Sequence, residues 1–482
     1  MMFVVERPRA KTFYLEVVFR AGAAHEAPSR SGISHLLEHL LFKSKNGELQ
    51  RELLKLGGSS NAYTSLERTA YHVEAPASEY DRVIRVVKRI VADTCFDERT
   101  LCEEKRIVLQ EKAFTYNLTE ELFQLMFEDT PYGKSVIGSR ETIDAITLTD
   151  LRRYHRQRYL NGGCYVAASC TSDAAKDVSE SLVREFGDFD APSPDPFLDQ
   201  LENRNTLTIV FFDTLVHDGA NEPSSSLSST KKKLTRMDKP PEERTLSRCN
   251  LMFVSRIQKD MRDALADRFV AFIMFEAGIG SVLYDHVRKK HQLTYRITGG
   301  GNAYTGANVF SINLHSESDI LYVNEVIQER LSEIRRDGLV KKESEFSTYK
   351  EAFKNSTKTA LVSKQTSIPD MVLAEAMNCQ RTSGCHVSTG KNKNKNKKKD
   401  GSAVARIVED EFVRRVMDVI DTIDKKEVNA LTSQMLGASR MVALFGNNTT
   451  RADGEFRETA KARMCPRAKA DGLRLRSFVF DG

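Results

Sequence analysis

The segment Gly32-Ile33-Ser34-His35-Leu36-Leu37-Glu38-His39-Leu40-Leu41-Phe42 decides how this chain of 482 residues is interpreted. In an α-helix, residues i and i+4 lie one above the other on one face, so His35 and His39 can point ring nitrogens at one metal ion. Glu38 follows His35 by three positions and is close enough to orient a water without being a ligand. This H-x-x-E-H order reverses the commoner H-E-x-x-H zinc helix. The segment therefore predicts a helix that carries a zinc site and its own base.

Two histidines can also fall four residues apart on an ordinary core helix. The chain has 10 histidines, and a chance match to this pattern is expected in about one chain in a hundred of such composition. The surroundings argue against chance. A glutamate flanked by Leu36, Leu37, Leu40 and Leu41 is costly to place beside an apolar core unless its charge is needed there.

A zinc site needs a third protein ligand, and a hydrolytic site leaves the fourth position to water. The segment 103–111 is predicted to be helical, because it combines straight-chain and charged residues with an apolar stripe. Glu104 and Glu111 lie seven positions apart, which is two turns, so both face the same way. Two glutamates on a helix usually mark a solvated face, and this alternative stays open on these residues alone.

Several parts of the sequence together resemble the pitrilysin/insulinase family of inverted zinc metallopeptidases, and the length fits its mitochondrial processing peptidase branch. They are residues 32–42, Gly57-Gly58-Ser59-Ser60-Asn61-Ala62-Tyr63-Thr64-Ser65, the pair Glu104 and Glu111, and residues 131–138. In that family the third ligand is a helical Glu preceded by another Glu seven positions earlier. The resemblance therefore implies that Glu111 joins His35 and His39 as a zinc ligand, with Glu104 as a supporting partner of the ligands.

A further match lies in the second half of the chain, at residues 278–295. It resembles a helix and strand of the family from which an Arg and a Tyr, seven residues apart, reach the substrate. Arg288 and Tyr295 have this spacing, so the resemblance implies a catalytic role for both beside Glu38. Without the resemblance, a surface Arg and a strand Tyr would be the better interpretation.

The resemblance also has implications for two loops. The loop 60–63, which contains Asn61 and Ala62, would run beside a substrate that binds in extended form by adding to a sheet edge. The separation of 72 residues between His39 and Glu111 is a few short of the family's spacing, which implies a trimmed loop between Ser44 and Gln50.

The implied fold is α+β, with two homologous insulinase-type domains, each an antiparallel sheet covered by helices. Alternating apolar residues at 13–19 and 71–75 support strands in the first half. Helices are expected at 77–93, 99–116, 120–128, 149–158 with Thr149 as N-cap, and 405–435. The second half carries no H-x-x-E-H, so only the first half is expected to bind zinc in this way.

Shifts in composition set the expected domain boundaries. They are a catalytic zinc-binding domain at 1–189, a linker at 190–204, a second insulinase-like domain at 205–448 and a C-terminal tail at 449–482. Inserts at about 217–245 and 382–402 are expected to be disordered, because their Ser-, Lys-, Pro- and Asn-rich sequences cannot bury a core.

Composition limits the remaining function classes. The chain is 40% hydrophobic and 29% charged, which is ordinary for a soluble globular protein, and it has no apolar run long enough for a membrane span. The net charge of +5 comes largely from the Lys/Asn tract at 391–399. Nucleic-acid binding by this tract is an alternative that would weaken steeply with salt, but nucleic acid is not the partner we expect.

The cysteines and the N terminus bear on the cellular compartment of the protein. The 8 cysteines are scattered, which favours a reducing compartment, although Cys379, Cys385 and His386 leave a second metal site open as a minor alternative. The N terminus shows neither a secretory signal nor a mitochondrial transit peptide. We therefore expect a cytoplasmic protein.

The sequence thus predicts a zinc-dependent endopeptidase, with Zn²⁺ as cofactor, that cleaves extended peptides or unfolded protein segments, as a processing protease would. The family builds its chamber from four such units, and this chain has two. A homodimer, or a heterodimer with a paralogous subunit, is therefore expected. The alternatives are a catalytically silent assembly or scaffold subunit of the same fold, and a viral or other non-mitochondrial processing protease.

Overall fold

The computed structural model describes residues 1–114, 118–189, 192, 206–212, 247–255, 258, 260–277, 280–295, 297–304, 308–379, 404–437, 440–445 and 474–480. The predicted linker, except residue 192, and both predicted inserts lie outside these ranges. So do the Lys/Asn tract at 391–399 and the pair Cys385 and His386.

The described strands form two six-stranded sheets. Their bounds are β1 Met2–Glu6, β2 Thr12–Phe19, β3 Ser59–Thr64, β4 Thr69–Pro76, β5 Cys164–Cys170, β6 Thr206–Phe212, β7 Ser247–Ser255, β8 Ile297–Ala303, β9 Asn308–Ser316, β10 Val404–Val408, β11 Arg440–Phe445 and β12 Arg474–Phe480. The first sheet has the order β10-β1-β5-β2-β4-β3 and the second the order β12-β6-β11-β7-β9-β8.

The two sheets repeat one arrangement. In each, the first three strands are mutually parallel, and every later neighbour along the sheet is antiparallel. This repetition confirms the expected α+β fold of two similar domains. The parallel strands at one end of each sheet were not part of the sequence-based prediction.

The outer strand of each sheet lies far along the chain from its neighbours. Strand β10 pairs with β1 in the register Met2 to Val404 through Glu6 to Val408, and Arg406 forms a 2.7 Å ion pair with Glu6. Strand β12 occupies the same place in the second sheet, although it falls within the predicted C-terminal tail. The segment 404–408 therefore completes the first sheet, and 474–480 completes the second.

Helices cover the sheets, and none in the described part of the chain is long and apolar enough to cross a membrane. Their bounds are α1 Ile33–Lys55, α2 Tyr80–Ala92, α3 Glu98–Phe114, α4 Leu118–Met126, α5 Arg140–Ala145, α6 Leu148–His155, α7 Ala175–Phe186, α8 Met261–Ala271, α9 Val282–Tyr284, α10 Ile320–Asp337, α11 Glu343–Ser363, α12 Ser367–Cys379, α13 Glu409–Thr422 and α14 Lys425–Gly437. Short π-helical segments continue α6, α8 and α9.

Three local predictions were wrong. Residues 33–55 form one helix, α1, in which Gly47 has φ = 72°, so no separate loop lies between Ser44 and Gln50. The N-cap of α6 is Thr147, whose hydroxyl accepts a hydrogen bond from the Asp150 N–H at 3.2 Å, and not Thr149. The predicted helix at 405–435 begins as strand β10, since the main chain there pairs with β1, and it is divided between α13 and α14.

Both faces of the first sheet are buried, which fixes α1 in place. One face packs on α1 and α2, and the four leucines of the H-x-x-E-H segment are 0% exposed in this core. The other face packs on the second domain, where Val18 and Tyr165 share a core with Phe269. Each buried leucine stabilises the fold by about 2 kcal/mol, so the helix that carries both histidines is held rigidly.

The start of α1 is set by Gly32 and Glu26. Gly32 has φ = 90°, and a Cβ there would lie 2.3 Å from the Ile137 carbonyl oxygen, so only glycine fits this turn. The buried carboxylate of Glu26 accepts hydrogen bonds from the N–H groups of Gly32 at 2.7 Å and Ser34 at 2.8 Å. These two contacts cap the helix one residue before His35.

Candidate metal centre

His35, His39 and Glu111 converge between α1 and α3. One ligand atom from each lies within 4.8 Å of the other two. Glu111 Oε2 is 3.6 Å from His35 Nε2 and 3.4 Å from His39 Nε2, and the two imidazole rings are 4.7 Å apart. One carboxylate oxygen therefore faces both Nε2 atoms, as expected for three groups arranged around a common point.

His39 is oriented by Glu104, which lies two turns before Glu111 on α3. Glu104 Oε2 is 3.1 Å from His39 Nδ1, and the Glu104 side chain is almost fully buried. Because a carboxylate can only accept, this bond places the proton on Nδ1 and leaves the Nε2 lone pair directed at Glu111. Glu104 therefore holds the ring in the tautomer that a metal ligand requires.

The pKa values of the two histidines are shifted in opposite directions. Burial, helped by the neighbouring His39, lowers the pKa of His35 to about 4, so this imidazole is neutral at pH 7. Burial also acts to lower the pKa of His39. The hydrogen bond that His39 donates to Glu104, together with the charges of Glu38, Glu104 and Glu111, outweighs that effect and raises the pKa of His39.

Glu38 lies beside this trio and is buried. Its Oε2 accepts a hydrogen bond of 2.6 Å from the Thr64 hydroxyl on β3. Burial raises the pKa of the Glu38 carboxyl, and the hydrogen bond from Thr64 offsets part of that rise. A carboxyl group tuned towards neutral pH is suited to proton transfer.

Asn61 and Ala62 lie on strand β3 and not in a loop, so that part of the prediction was wrong. β3 is the last strand of the first sheet and pairs only with β4 among the described strands. The Ala62 N–H donates to Asn61 Oδ1 at 3.0 Å, which leaves it outside the bonds that join β3 to β4. The free edge of β3 is thus next to Thr64 and Glu38.

Arg288 and Tyr295 contact each other in the second domain. The Arg288 guanidinium lies 4.4 Å from the ring centroid of Tyr295 and 4.9 Å from that of Tyr284. The side chain of Tyr295 is 82% exposed. The contacts described for these two residues do not join them to the cluster of His35, Glu38, His39 and Glu111, so their catalytic role stays a prediction.

The residues present fit a zinc ion. Two imidazoles and one carboxylate are the donor set of many hydrolytic zinc sites. Without a metal ion, the Glu111 oxygen and the Nε2 atoms of both histidines converge with only the proton of His39 to share among them. The alternative, an ion pair between protonated His39 and Glu111, does not account for the convergence of His35 on the same oxygen.

Comparison with known proteins shows the family to which this chain belongs. Residues 1–140 match the family model described as "Insulinase (Peptidase family M16)", and residues 145–353 match "Peptidase M16 inactive domain". The chain belongs to this family, as the sequence predicted. The protein is thus a two-domain member of the M16 peptidases, and its first domain carries the convergent residues.

Particular relatives are zinc proteases and processing peptidase subunits. The chain is 24% identical over 370 residues to the "Uncharacterized zinc protease YmxG" of Bacillus subtilis, covering 74% of this chain and 81% of that protein. It is 24% identical over 327 residues to an "Uncharacterized zinc protease" of Rickettsia felis, covering 65% and 71%. It is 30% identical over 169 residues to a probable mitochondrial-processing peptidase subunit beta of Arabidopsis thaliana, covering 33% and 32%.

Solved structures support the fold. A protease from Helicobacter pylori superposes with a TM-score of 0.68 at 16% identity, covering 92% of this chain and 96% of that one. A structure from Pseudomonas fluorescens titled as a peptidase M16 inactive domain gives 0.67 at 17% identity, covering 92% and 94%.

Proposed function

We propose that this protein is a zinc-dependent endopeptidase that cleaves extended peptides or unfolded protein segments. The observation that carries the proposal is the convergence of His35, His39 and Glu111 beside the buried carboxyl of Glu38. Relatives named as zinc proteases support it. A catalytically silent scaffold subunit would have no need for this arrangement.

The residues divide the chemistry among them. His35, His39 and Glu111 would hold the zinc, which when bound supplies a Lewis acid for a carbonyl and for water. Glu38 takes the proton of the attacking water and returns it to the leaving amine. The Thr64 hydroxyl holds Glu38 Oε2, so that Oε1 remains for the water. Glu104 keeps the His39 ring aligned.

The edge of β3 provides a place for the substrate backbone. An extended peptide that pairs with this edge continues the first sheet, and the Ala62 N–H is available once the Asn61 side chain turns away. Such pairing would place the peptide beside Thr64 and therefore beside Glu38. Such pairing would favour unfolded segments as substrates, because a folded helix offers no edge to pair with.

Partner and compartment are part of the proposal. We infer that a second two-domain chain, identical or paralogous, completes the enzyme, in keeping with relatives that are named as subunits. We also propose a cytoplasmic location for the protein.

The test separates metal binding from catalysis. In Glu38→Gln, zinc content should stay near one per chain while peptide cleavage falls about 10²- to 10⁴-fold, since a proton carrier is lost. His35→Ala or Glu111→Ala should lose both. Glu48→Gln, on the exposed part of the same helix, is the matched control and should change neither. Full zinc occupancy in Glu111→Ala would contradict the ligand assignment, and unimpaired cleavage by Glu38→Gln would contradict the mechanism.

A further inference from the structure

The segment 131–138 contacts both helices that carry the candidate ligands, and we call it the strap. It begins with a short 3₁₀-helix at Pro131–Gly133 and ends at Gly138, which has φ = 82°. None of its side chains belongs to the candidate metal centre. The proposed chemistry therefore leaves its contacts with α1 and α3 unexplained.

On the α1 side, the strap packs against the residues that lead into the helix. The Ser31 hydroxyl donates to the Ser135 carbonyl oxygen at 3.3 Å. Lys134 Nζ donates to the main-chain carbonyl oxygen of Glu26, the residue whose carboxylate caps α1, at 2.5 Å. A Cβ on Gly138 would overlap the Ser31 carbonyl oxygen, so the two backbones approach as closely as only glycine allows. The strap is thus fixed to the start of α1, within about one turn of the first ligand.

On the α3 side, the strap is bound by the residue that follows the third ligand. Lys112 comes directly after Glu111, and its Nζ donates to the Gly138 carbonyl oxygen. Gly138 is also the residue whose backbone lies against Ser31. One residue of the strap therefore links the last turn of α3 to the start of α1.

The strap is itself held from three directions. Glu120 on α4 accepts a hydrogen bond from the Val136 N–H at 2.8 Å. Tyr132 is 1% exposed and donates to Glu67, which lies in the turn between β3 and β4. The Tyr132 ring also packs edge-on against Tyr304, which follows β8 in the second domain, with the ring centroids 5.9 Å apart. Both domains therefore hold the strap in place.

The position of Glu111 explains why such a link matters. Helix α3 ends at Phe114, so Glu111 lies in its last turn, and the last turn of a helix frays readily. Zinc is bound at about 2.0–2.2 Å by nitrogen and carboxylate oxygen, which leaves little tolerance for movement of one ligand. A contact that holds the last turn of α3 at a fixed distance from α1 should therefore raise the affinity of the site.

We propose that the strap positions Glu111 relative to His35 and His39, with Lys112 as a positioning residue and Tyr304 as the anchor of the strap on the second domain. The inference rests on the zinc site of the proposed function. It gives the second domain a part in metal affinity, although the candidate ligands all lie in the first domain.

The first experiment measures zinc affinity of the full chain by competition with a chromophoric chelator. Lys112→Met should weaken it by at least about tenfold, as loss of a supporting partner of a metal ligand does. Removal of a positive charge would by itself favour a bound cation, so a loss of affinity reports on position. Lys350→Met is the matched control, since Lys350 Nζ donates to the Asp421 carbonyl oxygen at 2.7 Å in the second domain. Equal zinc affinity in the two variants would overturn the proposal.

The second experiment tests the anchor. Tyr304→Leu removes the ring that packs on Tyr132 and should weaken zinc binding by at least about twofold, whereas Tyr304→Phe keeps the ring and should not. In the Lys112→Met background, Tyr304→Leu should have no further effect, because the link to α3 is already broken. Losses of affinity that simply add would overturn the role assigned to the second domain.

Amide hydrogen exchange of the zinc-free chain separates this inference from the proposed function. Residues 108–114 should exchange faster in Lys112→Met than in the wild type, since the last turn of α3 opens more readily without its link. Unchanged exchange in these residues would overturn the strap. A wild-type chain that binds no zinc would overturn the endopeptidase proposal, and exchange alone would then decide whether the strap holds α3.

Discussion

At the scale of single residues, the candidate centre depends on groups that do not themselves converge on the metal position. Glu104 directs the His39 lone pair, and Thr64 occupies one oxygen of Glu38. Both contacts are charge-assisted and partly buried, where hydrogen bonds are strongest. The reactivity of the site is therefore set by neighbours as much as by the H-x-x-E-H residues.

The first prediction concerns Glu104. Glu104→Gln should weaken zinc affinity by about 10- to 100-fold, because a neutral amide holds the His39 proton less firmly. Competition with a chromophoric chelator measures this. Glu103→Gln is the matched control, since Glu103 lies next to it on α3 and forms an exposed pair with Arg99. Equal zinc affinity in the two variants would show that Glu104 does not support the ligand.

At the scale of elements, the site is built where a helix meets an edge strand. Helix α1 supplies His35, Glu38 and His39, α3 supplies Glu111, and β3 supplies a free edge. On β3, the Ala62 side chain packs against the first core, while the outer edge of the strand is unpaired among the described strands. The substrate path should thus run along β3.

The second prediction tests that path. Ala62→Pro should raise KM and lower kcat/KM by about fivefold, because it removes an edge N–H worth about 1 kcal/mol to a paired backbone. Zinc content should not change. Asn61→Ala is the comparison variant: it keeps every backbone donor and frees the Ala62 N–H from the Asn61 side chain, so it should not raise KM. Unchanged KM in Ala62→Pro, with an intact fold by circular dichroism, would exclude pairing at this point of the edge.

At the scale of the whole molecule, the two domains share elements and a polar boundary. Strand β10 from the second half completes the first sheet, and Arg7 forms a 2.8 Å ion pair with Glu409. The Glu16–Asp370 contact lies at the same boundary. The first domain therefore does not end at residue 189 in structural terms.

The third prediction is a pH effect on stability. The pKa of Glu16 is raised from 4.5 to about 7 in the folded chain, so between these values the folded state keeps a proton that the unfolded state has lost. The free energy of unfolding should therefore fall as pH rises through this window, by up to about 3 kcal/mol for this group.

Glu16→Gln should remove this contribution to the pH dependence of stability. The free energy of unfolding of the variant should therefore rise relative to that of the wild type between pH 5 and pH 8. Urea unfolding at both pH values measures the difference. Glu411→Gln, an exposed residue of α13, is the control and should keep the wild-type slope. A parallel slope in Glu16→Gln would mean that Glu16 titrates normally in the folded protein.

The fourth prediction tests whether the second domain contributes Tyr295 to the active site. If Tyr295 contacts the reacting carbonyl, Tyr295→Phe should lower kcat by about 10- to 100-fold with zinc content unchanged, since a transition-state hydrogen bond is lost. Tyr322→Phe, another exposed tyrosine of the second half, serves as control. Tyr295 is largely exposed and has no described contact with Glu38. Equal kcat in both variants would therefore remove Arg288 and Tyr295 from the mechanism.

The sequence by itself indicated the metal-binding candidates: helical periodicity placed His35 and His39 on one face, and resemblance to the family implied Glu111 and Glu104. It also determined the doubled α+β fold, through resemblance spread over both halves. Only the tertiary structure decided that Thr64 bonds Glu38, that Glu26 caps α1 and that β10 crosses to the first sheet. These contacts join positions up to about 400 residues apart, and no local pattern encodes which distant segments pair, since pairing is chosen by the packing of the whole core.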